Sequence, residues 1–308
     1  MHYDYTLLRC TSKSVLQKRA ACIRRMQFKG LGFPNKHFAT QNGLCIYEDT
    51  ACHCYERLLN CKMIFQLLYW AYQSFFREDA AVTAQIMQIG NRLCRIYGEA
   101  HAEYLLLQMT GEHELQSMEG EVAAIAQSAH RFLFAAIPVA SWNDELPPWK
   151  SPAVWGKQGF GGNAADTLRF LAEQVIPTLK LQFTLPENIK IILGGYSLAG
   201  LFALWASTQT GLFYGIAAAS PSVWFPGWME FEQQHPIQAQ YVYLSLGDKE
   251  ERTKNPVMAS VGTNIRALHD RLTERGADCV LEWNSGGHFK DADLRTARAF
   301  QWVMEEHA

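Results

Sequence analysis

The chain has 308 residues, of which 48% are hydrophobic and 19% charged, and its formal net charge at pH 7 is −2. This composition is typical of a globular protein with a sizeable core, which excludes a fibrous or disordered chain, and the near-zero charge indicates no particular partner. The length allows one large domain, or one domain with an appendage.

The sequence shows no segment typical of secretion or membrane insertion. Basic residues repeatedly interrupt the first 25 positions, so no apolar signal-peptide core is expected there. The most apolar run, Met63 to Phe76, is too short to span a bilayer and carries Gln66 and Gln73. We therefore expect a cytoplasmic protein with no membrane partner.

Residues 1–98 form a basic, helical appendage in this interpretation. Up to Lys36 the charged residues are basic except Asp4, and from Asp49 to about Tyr97 the apolar spacing predicts helices. A second helical stripe is predicted from four apolar residues, with Gly98 as its C-cap: Ile86, Ile89, Leu93 and Ile96. The sequence does not choose between a cap over the site, a contact with another subunit and a partner-binding segment. A helix-turn-helix module that binds DNA is a less favoured alternative, because no recognition helix is identifiable.

The cysteines predict neither disulfides nor a metal site. Seven of the eight lie at or before Cys94, and without a secretion signal they are expected to be free thiols. Cys45, Cys52, Cys54 and Cys61 do not have the C-x2-C spacing of zinc ligands. We predict no metal and no cofactor.

From Glu103 the pattern changes to alternating strands and helices, which predicts βαβ units and a mostly parallel sheet. The fold class is α/β, with about six strands, helices on both faces and a catalytic domain at residues 99–308. The predicted strands are Tyr104–Met109, Phe132–Val139, Ile191–Leu193, Ile216–Ala219, Tyr241–Leu246 and Cys279–Trp283. The predicted helices are Glu119–Ala129, Ala164–Leu179, one directly after Ser197, about Val257–Glu274 and about Asp291–Glu306.

Ser197 lies where a buried strand changes directly into a helix. The segment reads KIILGGYSLAGLFALWA at 190–206, with Gly195 two residues before the serine and Ala199 in place of the usual glycine two residues after it. In a nucleophile elbow the serine hydroxyl is exposed above the sheet, and small neighbours let the helix start against the strand. Ser197 is therefore the candidate nucleophile.

An acid and a histidine follow in the order that a serine hydrolase requires. The predicted strand ending at Leu246 leads into GDKEE at 247–251, and the strand ending at Trp283 leads into NSGGH, which ends at His288. The carboxyl ends of parallel strands meet at one sheet edge, so we expect Ser197, a carboxylate at 248–251 and His288 to converge. The histidine would take the serine proton, and the carboxylate would fix its tautomer.

On these residues the chain resembles the α/β-hydrolases. Within them it is similar to esterases related to the enterochelin (siderophore) esterases, esterase D and S-formylglutathione hydrolase. The resemblance extends from about Tyr104 to the C-terminus and rests on GGYSLAGLFALWA, ASPSVWF at 219–225, LGDKEE at 246–251 and GGHF at 286–289. The loop WNDELPPW and the later GKQGFGGNAADTLRFL resemble a smaller bacterial branch.

The resemblance implies further roles. It implies Glu250 as the acid, with Asp248 and Glu251 as alternatives, and an oxyanion hole of two backbone N–H groups. One N–H belongs to Leu198, and the other to Thr110 or Gly111. The latter loop lacks the family's common His-Gly-Gly, so the choice between Thr110 and Gly111 stays open.

Several aromatic side chains are candidates for substrate binding. Trp142 and Trp149, with Trp155 and Phe160, lie in the loop after the second core strand, and Trp224 follows the Ser220-Pro221 turn. They are expected either to pack under the loop or to form a pocket wall for an apolar or aromatic group. Tyr196, beside the nucleophile, completes the predicted substrate contacts.

The favoured function is a serine hydrolase that cleaves a small-molecule carboxylic ester or thioester. Two other functions stay open: a ligand-sensing regulator with a DNA-binding segment in residues 1–98, and a non-catalytic hydrolase-fold scaffold. The sequence does not indicate an oligomeric state.

Overall fold

The protein divides into two compact units, Met1–Phe76 and Arg77–Ala308. The computed structural model describes residues 83–98 and 100–305, together with a short antiparallel pair, Ala39–Thr40 and Gly43–Leu44, in the first unit. The helices predicted between Asp49 and residue 82 lie outside the described residues.

Within the described residues, the larger unit is built on an eight-stranded sheet. The strands are β1 (Gln85–Ile89), β2 (Arg92–Gly98), β3 (Tyr104–Thr110), β4 (Phe132–Pro138), β5 (Lys190–Tyr196), β6 (Gly215–Ala219), β7 (Tyr241–Gly247) and β8 (Asp278–Asn284). Their order is β8-β7-β6-β5-β3-β4-β2-β1. Strands β3 to β8 are parallel and β1 and β2 are antiparallel. The predicted α/β-hydrolase architecture is confirmed, with two strands more than expected.

Helices cover both faces of the sheet. In chain order they are α1 (Glu112–Ile125), α2 (Trp142–Glu145), α3 (Ala164–Phe170), a π-helical turn (Leu171–Val175), α4 (Ile176–Gln182), α5 (Leu198–Gln209), α6 (Trp228–Gln234), α7 (Pro256–Ala259), α8 (Val261–Glu274) and α9 (Ala292–Met304).

Two apolar cores fill the space between these helices and the sheet. On one face, α1 and α9 bury Met118 and Phe300 against Leu106 of β3. On the other face, α5 and α8 bury Phe202 and Leu268 in the cluster that holds the opposite side of the central strands. Because β3, β5 and β6 are covered on both faces, they are almost continuously apolar, as expected for central parallel strands.

The helix predicted from the apolar stripe between residues 86 and 96 is wrong. These residues form the β1–β2 hairpin, with Gly90 and Asn91 in the turn and Gly90 at φ 56°. The stripe does not share one face: Ile89 and Ile96 are buried, whereas Ile86 and Leu93 are exposed. The segment forms strands because β2 pairs with β4 of the sheet. Such tertiary pairing can override a helical spacing of apolar residues. Residues 85–98 therefore belong to the sheet.

Candidate active site

Ser197 occupies the tight turn between β5 and α5. Its backbone has φ 58° and ψ −119°, a conformation that costs a residue with a side chain about 1–3 kcal/mol. The turn is closely packed, because a Cβ atom on Gly195 would lie 2.6 Å from the Cβ of Ala199. The helix thus starts directly against the strand and presents the serine at the carboxyl edge of the sheet, as in a nucleophile elbow.

A chain of hydrogen bonds connects Ser197, His288 and Glu250. The serine Oγ lies 3.1 Å from Nε2 of His288, and Nδ1 of the same ring lies 2.7 Å from Oε2 of Glu250. Glu250 begins a 3₁₀ turn after β7, and His288 lies in the loop after β8. The structure thus brings together side chains that follow three strands, in the geometry of nucleophile, base and acid.

The two alternative carboxylates have other partners. Asp248 accepts the backbone N–H of Gly286 at 2.7 Å and so fixes the loop that carries His288. Glu251 forms a two-bond ion pair with Arg266, at 2.9 and 3.2 Å. Glu250 is therefore the carboxylate of this segment that faces the histidine.

The predicted oxyanion donors differ in the partners of their backbone N–H groups. Leu198 is the first residue of α5, where a backbone N–H has no partner within the helix and the helix dipole favours negative charge. The N–H of Gly111, in contrast, donates to Oε2 of Glu114 at 3.0 Å at the start of α1. Thr110 ends β3 and pairs in register with Pro138. The second donor is thus not preformed at Gly111.

Comparison with known proteins identifies the family of this chain. Residues 116–291 match the family model Esterase, described as "Putative esterase". The chain belongs to this esterase family. A curated relative, the uncharacterized protein YbbA of Bacillus subtilis (strain 168), is 25% identical over 173 residues, which are 52% of this chain and 68% of YbbA.

Solved structures share the fold of this esterase. An IroE-like serine hydrolase from Shewanella oneidensis superimposes with a TM-score of 0.61 at 15% identity, covering 71% of this chain and 79% of the other. The siderophore hydrolase EstA from Aspergillus nidulans gives 0.56 at 18% identity, with 74% and 96% covered. The enterobactin esterase FES from Shigella flexneri gives 0.56 at 17% identity, with 72% and 58% covered.

The carboxylate of Glu250 is buried and held by several donors. Its Oε1 accepts the N–H of Gly247 at 2.7 Å, the hydroxyl of Ser220 at 2.8 Å and the guanidinium of Arg295 at 3.2 Å. Burial alone would raise the pKa of Glu250, but His288, the Gly247 N–H and the Ser220 hydroxyl together hold that pKa below its ordinary value. The esterase therefore keeps this carboxyl ionised beside the imidazole.

Tyr196 lies beneath the histidine loop, which corrects its predicted role in substrate binding. Its side chain is buried, and its hydroxyl donates to the carbonyl oxygen of His288 at 2.5 Å. The same hydroxyl accepts a hydrogen bond from Arg295 at 3.0 Å. Tyr196 thus fixes the backbone that carries the imidazole.

Sequence reasoning missed two polar residues of this site. The hydroxyl of Ser222 lies 3.2 Å from that of Ser197, and its backbone N–H donates to the Ser197 carbonyl at 3.0 Å. Arg295, on α9, donates to groups from four other segments of the site. The ASPSVWF segment was a signal for Ser222, whereas Arg295 carries no local motif.

The aromatic candidates separate into a packed group and an aromatic wall in which one ring is exposed. Trp149 donates its indole N–H to the Pro226 carbonyl at 3.0 Å and packs against Phe225 and Phe231. Trp142 lies over Gly111, where an added Cβ would come within 3.3 Å of its ring.

The aromatic wall consists of Trp155, Phe160 and Trp224. Trp155 is 46% exposed, whereas Phe160 and Trp224 are buried. Trp155 lies edge-on against Trp224 at 5.3 Å, and Phe160 contacts both rings. Trp224 follows by two residues Ser222, whose hydroxyl lies 3.2 Å from that of Ser197. Phe289, directly after His288, is 94% exposed on the histidine side.

In the part of the chain that the structure describes, no helix is both long and apolar enough to cross a bilayer. The same residues contain no group of three or more His, Cys, Asp or Glu side chains placed to hold a metal ion.

Proposed function

We propose that this esterase hydrolyses a small-molecule carboxylic ester or thioester through an acyl-enzyme on Ser197. The observation that carries the proposal is the hydrogen-bond chain from Ser197 through His288 to Glu250. The chemistry needs a base within hydrogen-bond reach of the nucleophile and a third group that orients the base. Glu250 meets the last requirement because it is buried, ionised and bonded to Nδ1 of the ring.

In the first half-reaction, Nε2 of His288 takes the hydroxyl proton while the Ser197 oxygen attacks the carbonyl carbon. The Leu198 N–H stabilises the oxyanion, and Glu250 stabilises the imidazolium. The imidazolium then returns its proton to the leaving alcohol or thiol. In the second half-reaction, water loses a proton to His288, attacks the acyl-enzyme and releases the acid, which restores the serine.

Labelling with a fluorophosphonate probe tests the nucleophile. We expect the protein to label, Ser197→Ala to lose labelling and ester hydrolysis, and His288→Ala to lose at least about a thousandfold in kcat. Ser128→Ala is the matched control, because Ser128 lies in the loop before β4, at the opposite edge of the sheet from Ser197. Labelling that survives in Ser197→Ala would overturn the assignment.

The substrate group that contacts the wall is proposed to be apolar or aromatic. Trp155 presents an exposed ring against Trp224, which follows Ser222 by two residues. We expect Trp155→Ala to lower kcat/KM for p-nitrophenyl benzoate more than for p-nitrophenyl acetate, by about tenfold. Trp283→Ala is a matched control, because this exposed Trp stacks on Arg266 instead. Equal losses for both esters would contradict the proposal.

We further propose that residues before the β1–β2 hairpin form an appendage that the chemistry does not need. The alternative, a DNA-binding regulator, concerns residues 1–98 and is tested by measuring duplex binding across a salt series. A cytoplasmic location stays a prediction from the sequence.

A further inference from the structure

Arg295 contributes the most completely buried charge around the Glu250–His288 pair. Its side chain is 3% exposed. Nη1 lies within hydrogen-bond distance of the Tyr196 hydroxyl at 3.0 Å, the Ser220 hydroxyl at 3.2 Å and Oε1 of Glu250 at 3.2 Å. Nη2 donates to the carbonyl oxygen of Gly287 at 3.3 Å. One guanidinium thus connects the elbow strand, the end of β6, the acid and the histidine loop.

We propose that Arg295 is a positioning residue that fixes the Glu250 carboxylate and the His288 loop, so that the imidazole faces Ser197. The inference rests on the proposed function of Ser197, Glu250 and His288. It concerns a residue of α9 that lies beyond the range 116–291 matched by the family model.

The shape of the guanidinium lets Arg295 hold two groups of the site together. A planar fork can contact a carboxylate and a carbonyl at once, which a lysine ammonium does not reproduce. Tyr196 extends the connection, because it accepts from Arg295 and donates to the His288 carbonyl. Both the ring nitrogen and the backbone of the histidine are therefore held by groups that Arg295 contacts.

The charges around the pair support the same role. The carboxylate of Glu250 is buried, and a buried charge needs a partner that is fixed in place. Arg295 supplies that partner, with Nη1 at 3.2 Å from Oε1 of Glu250 and a side chain that is 3% exposed. On the histidine loop, Asp248 accepts the Gly286 N–H, and the Lys290 side chain lies along Gly286. Removal of the Arg295 guanidinium would therefore leave the Glu250 carboxylate buried without its cationic partner.

The test compares Arg295→Met and Arg295→Lys with Arg298→Met, a matched control one turn later on α9 whose arginine pairs with Glu282. The resonance of the His288 ring N–H that bonds to Glu250 is followed by ¹H NMR at one pH, assigned with His288→Ala, and kcat and KM are measured separately. We expect Arg295→Met to broaden or lose this resonance and to lower kcat by about a hundredfold, while KM stays within about twofold. Arg298→Met should leave the resonance and both kinetic constants in place.

Arg295→Lys separates charge from geometry. We expect Arg295→Lys to keep the ring N–H resonance, because a positive charge stays beside Glu250, while kcat falls about tenfold because the ammonium cannot span the carboxylate and the Gly287 carbonyl. A purely structural arginine would lower the stability of Arg295→Met and leave the resonance and kcat of the folded protein unchanged, and that result would overturn the proposal. If Arg295→Met does not fold, wild-type kcat in Arg295→Lys would overturn it instead. The NMR measurement needs no substrate, so failure of the serine mechanism is recognised separately by Ser197→Ala labelling.

Discussion

The backbone strain at Ser197 predicts that glycine stabilises the protein more than alanine at this position. The angles φ 58° and ψ −119° are the mirror image of an ordinary extended conformation, which glycine adopts without penalty. Alanine keeps the strain of about 1–3 kcal/mol. Glycine gives back about 0.4–1 kcal/mol through the greater freedom of its unfolded chain. The difference in the free energy of unfolding should therefore be about 1 kcal/mol in favour of Ser197→Gly.

Ser197→Gly and Ser197→Ala differ in backbone strain but share the other effects of losing the serine hydroxyl. Both variants lack the hydroxyl, so both lose its contacts with His288 and Ser222, and both should be inactive. Urea unfolding at one pH gives the midpoints and m values, and thermal unfolding should place Ser197→Gly about 2–4 °C above Ser197→Ala. Equal m values are required for the comparison. An alanine variant as stable as the glycine variant would refute the strain argument.

Three further predictions concern the acid, a buried carboxyl and the sheet edge. Glu250→Gln should lower kcat by about a hundredfold to ten-thousandfold, whereas Glu251→Gln, which loses only the pair with Arg266, should stay within about twofold; similar losses in both would contradict the assignment. Burial raises the pKa of Glu121 well above 4.5, so the folded protein holds this carboxyl in its neutral form. The stability that the neutral carboxyl contributes is complete below pH 4.5 and is lost as the pH rises from there through the raised pKa. Glu121→Gln should therefore raise the free energy of unfolding at pH 8 but not at pH 4, as measured by urea unfolding; an equal effect at both pH values would argue against a neutral buried carboxyl. A chain starting at Arg77 should fold and label with the serine-directed probe, whereas one starting at Glu99 lacks the β1–β2 hairpin, exposes the edge of β4 and should aggregate; loss of labelling in a soluble Arg77 chain would show that the first unit contributes to the site.

The sequence predicts the parts of this protein whose signals are local. The six parallel strands are recognisable because each is a short apolar run ended by a turn. Ser197 and His288 stand out because small residues and glycines surround them at strand ends. Glu250 is implied by the family resemblance, with Asp248 and Glu251 as alternatives, and in the structure the Glu250 carboxylate faces the ring.

The remaining features depend on tertiary contacts. The hairpin at residues 85–98 carries helical spacing, and only its pairing with β4 makes it a sheet edge. Gly111 is a plausible donor until Glu114, three residues later, is seen to occupy its N–H. Arg295 looks like an ordinary helix residue in the sequence. Its contact with Glu250 depends on the packing of α9 against the sheet, which no local motif indicates.

Arg295 lies on the last described helix, so the site can be completed only late in the synthesis of the chain. The contact between Ser197 and His288 spans 91 residues, and that between Tyr196 and Arg295 spans 99. A chain emerging from the ribosome can pair β3 with β5 and form the elbow early, but the acid lacks its cationic partner until α9 has left the exit tunnel. A nascent chain thus carries a strained serine without an organised base, so reactive chemistry becomes available only when translation of the sheet and its last helix is complete.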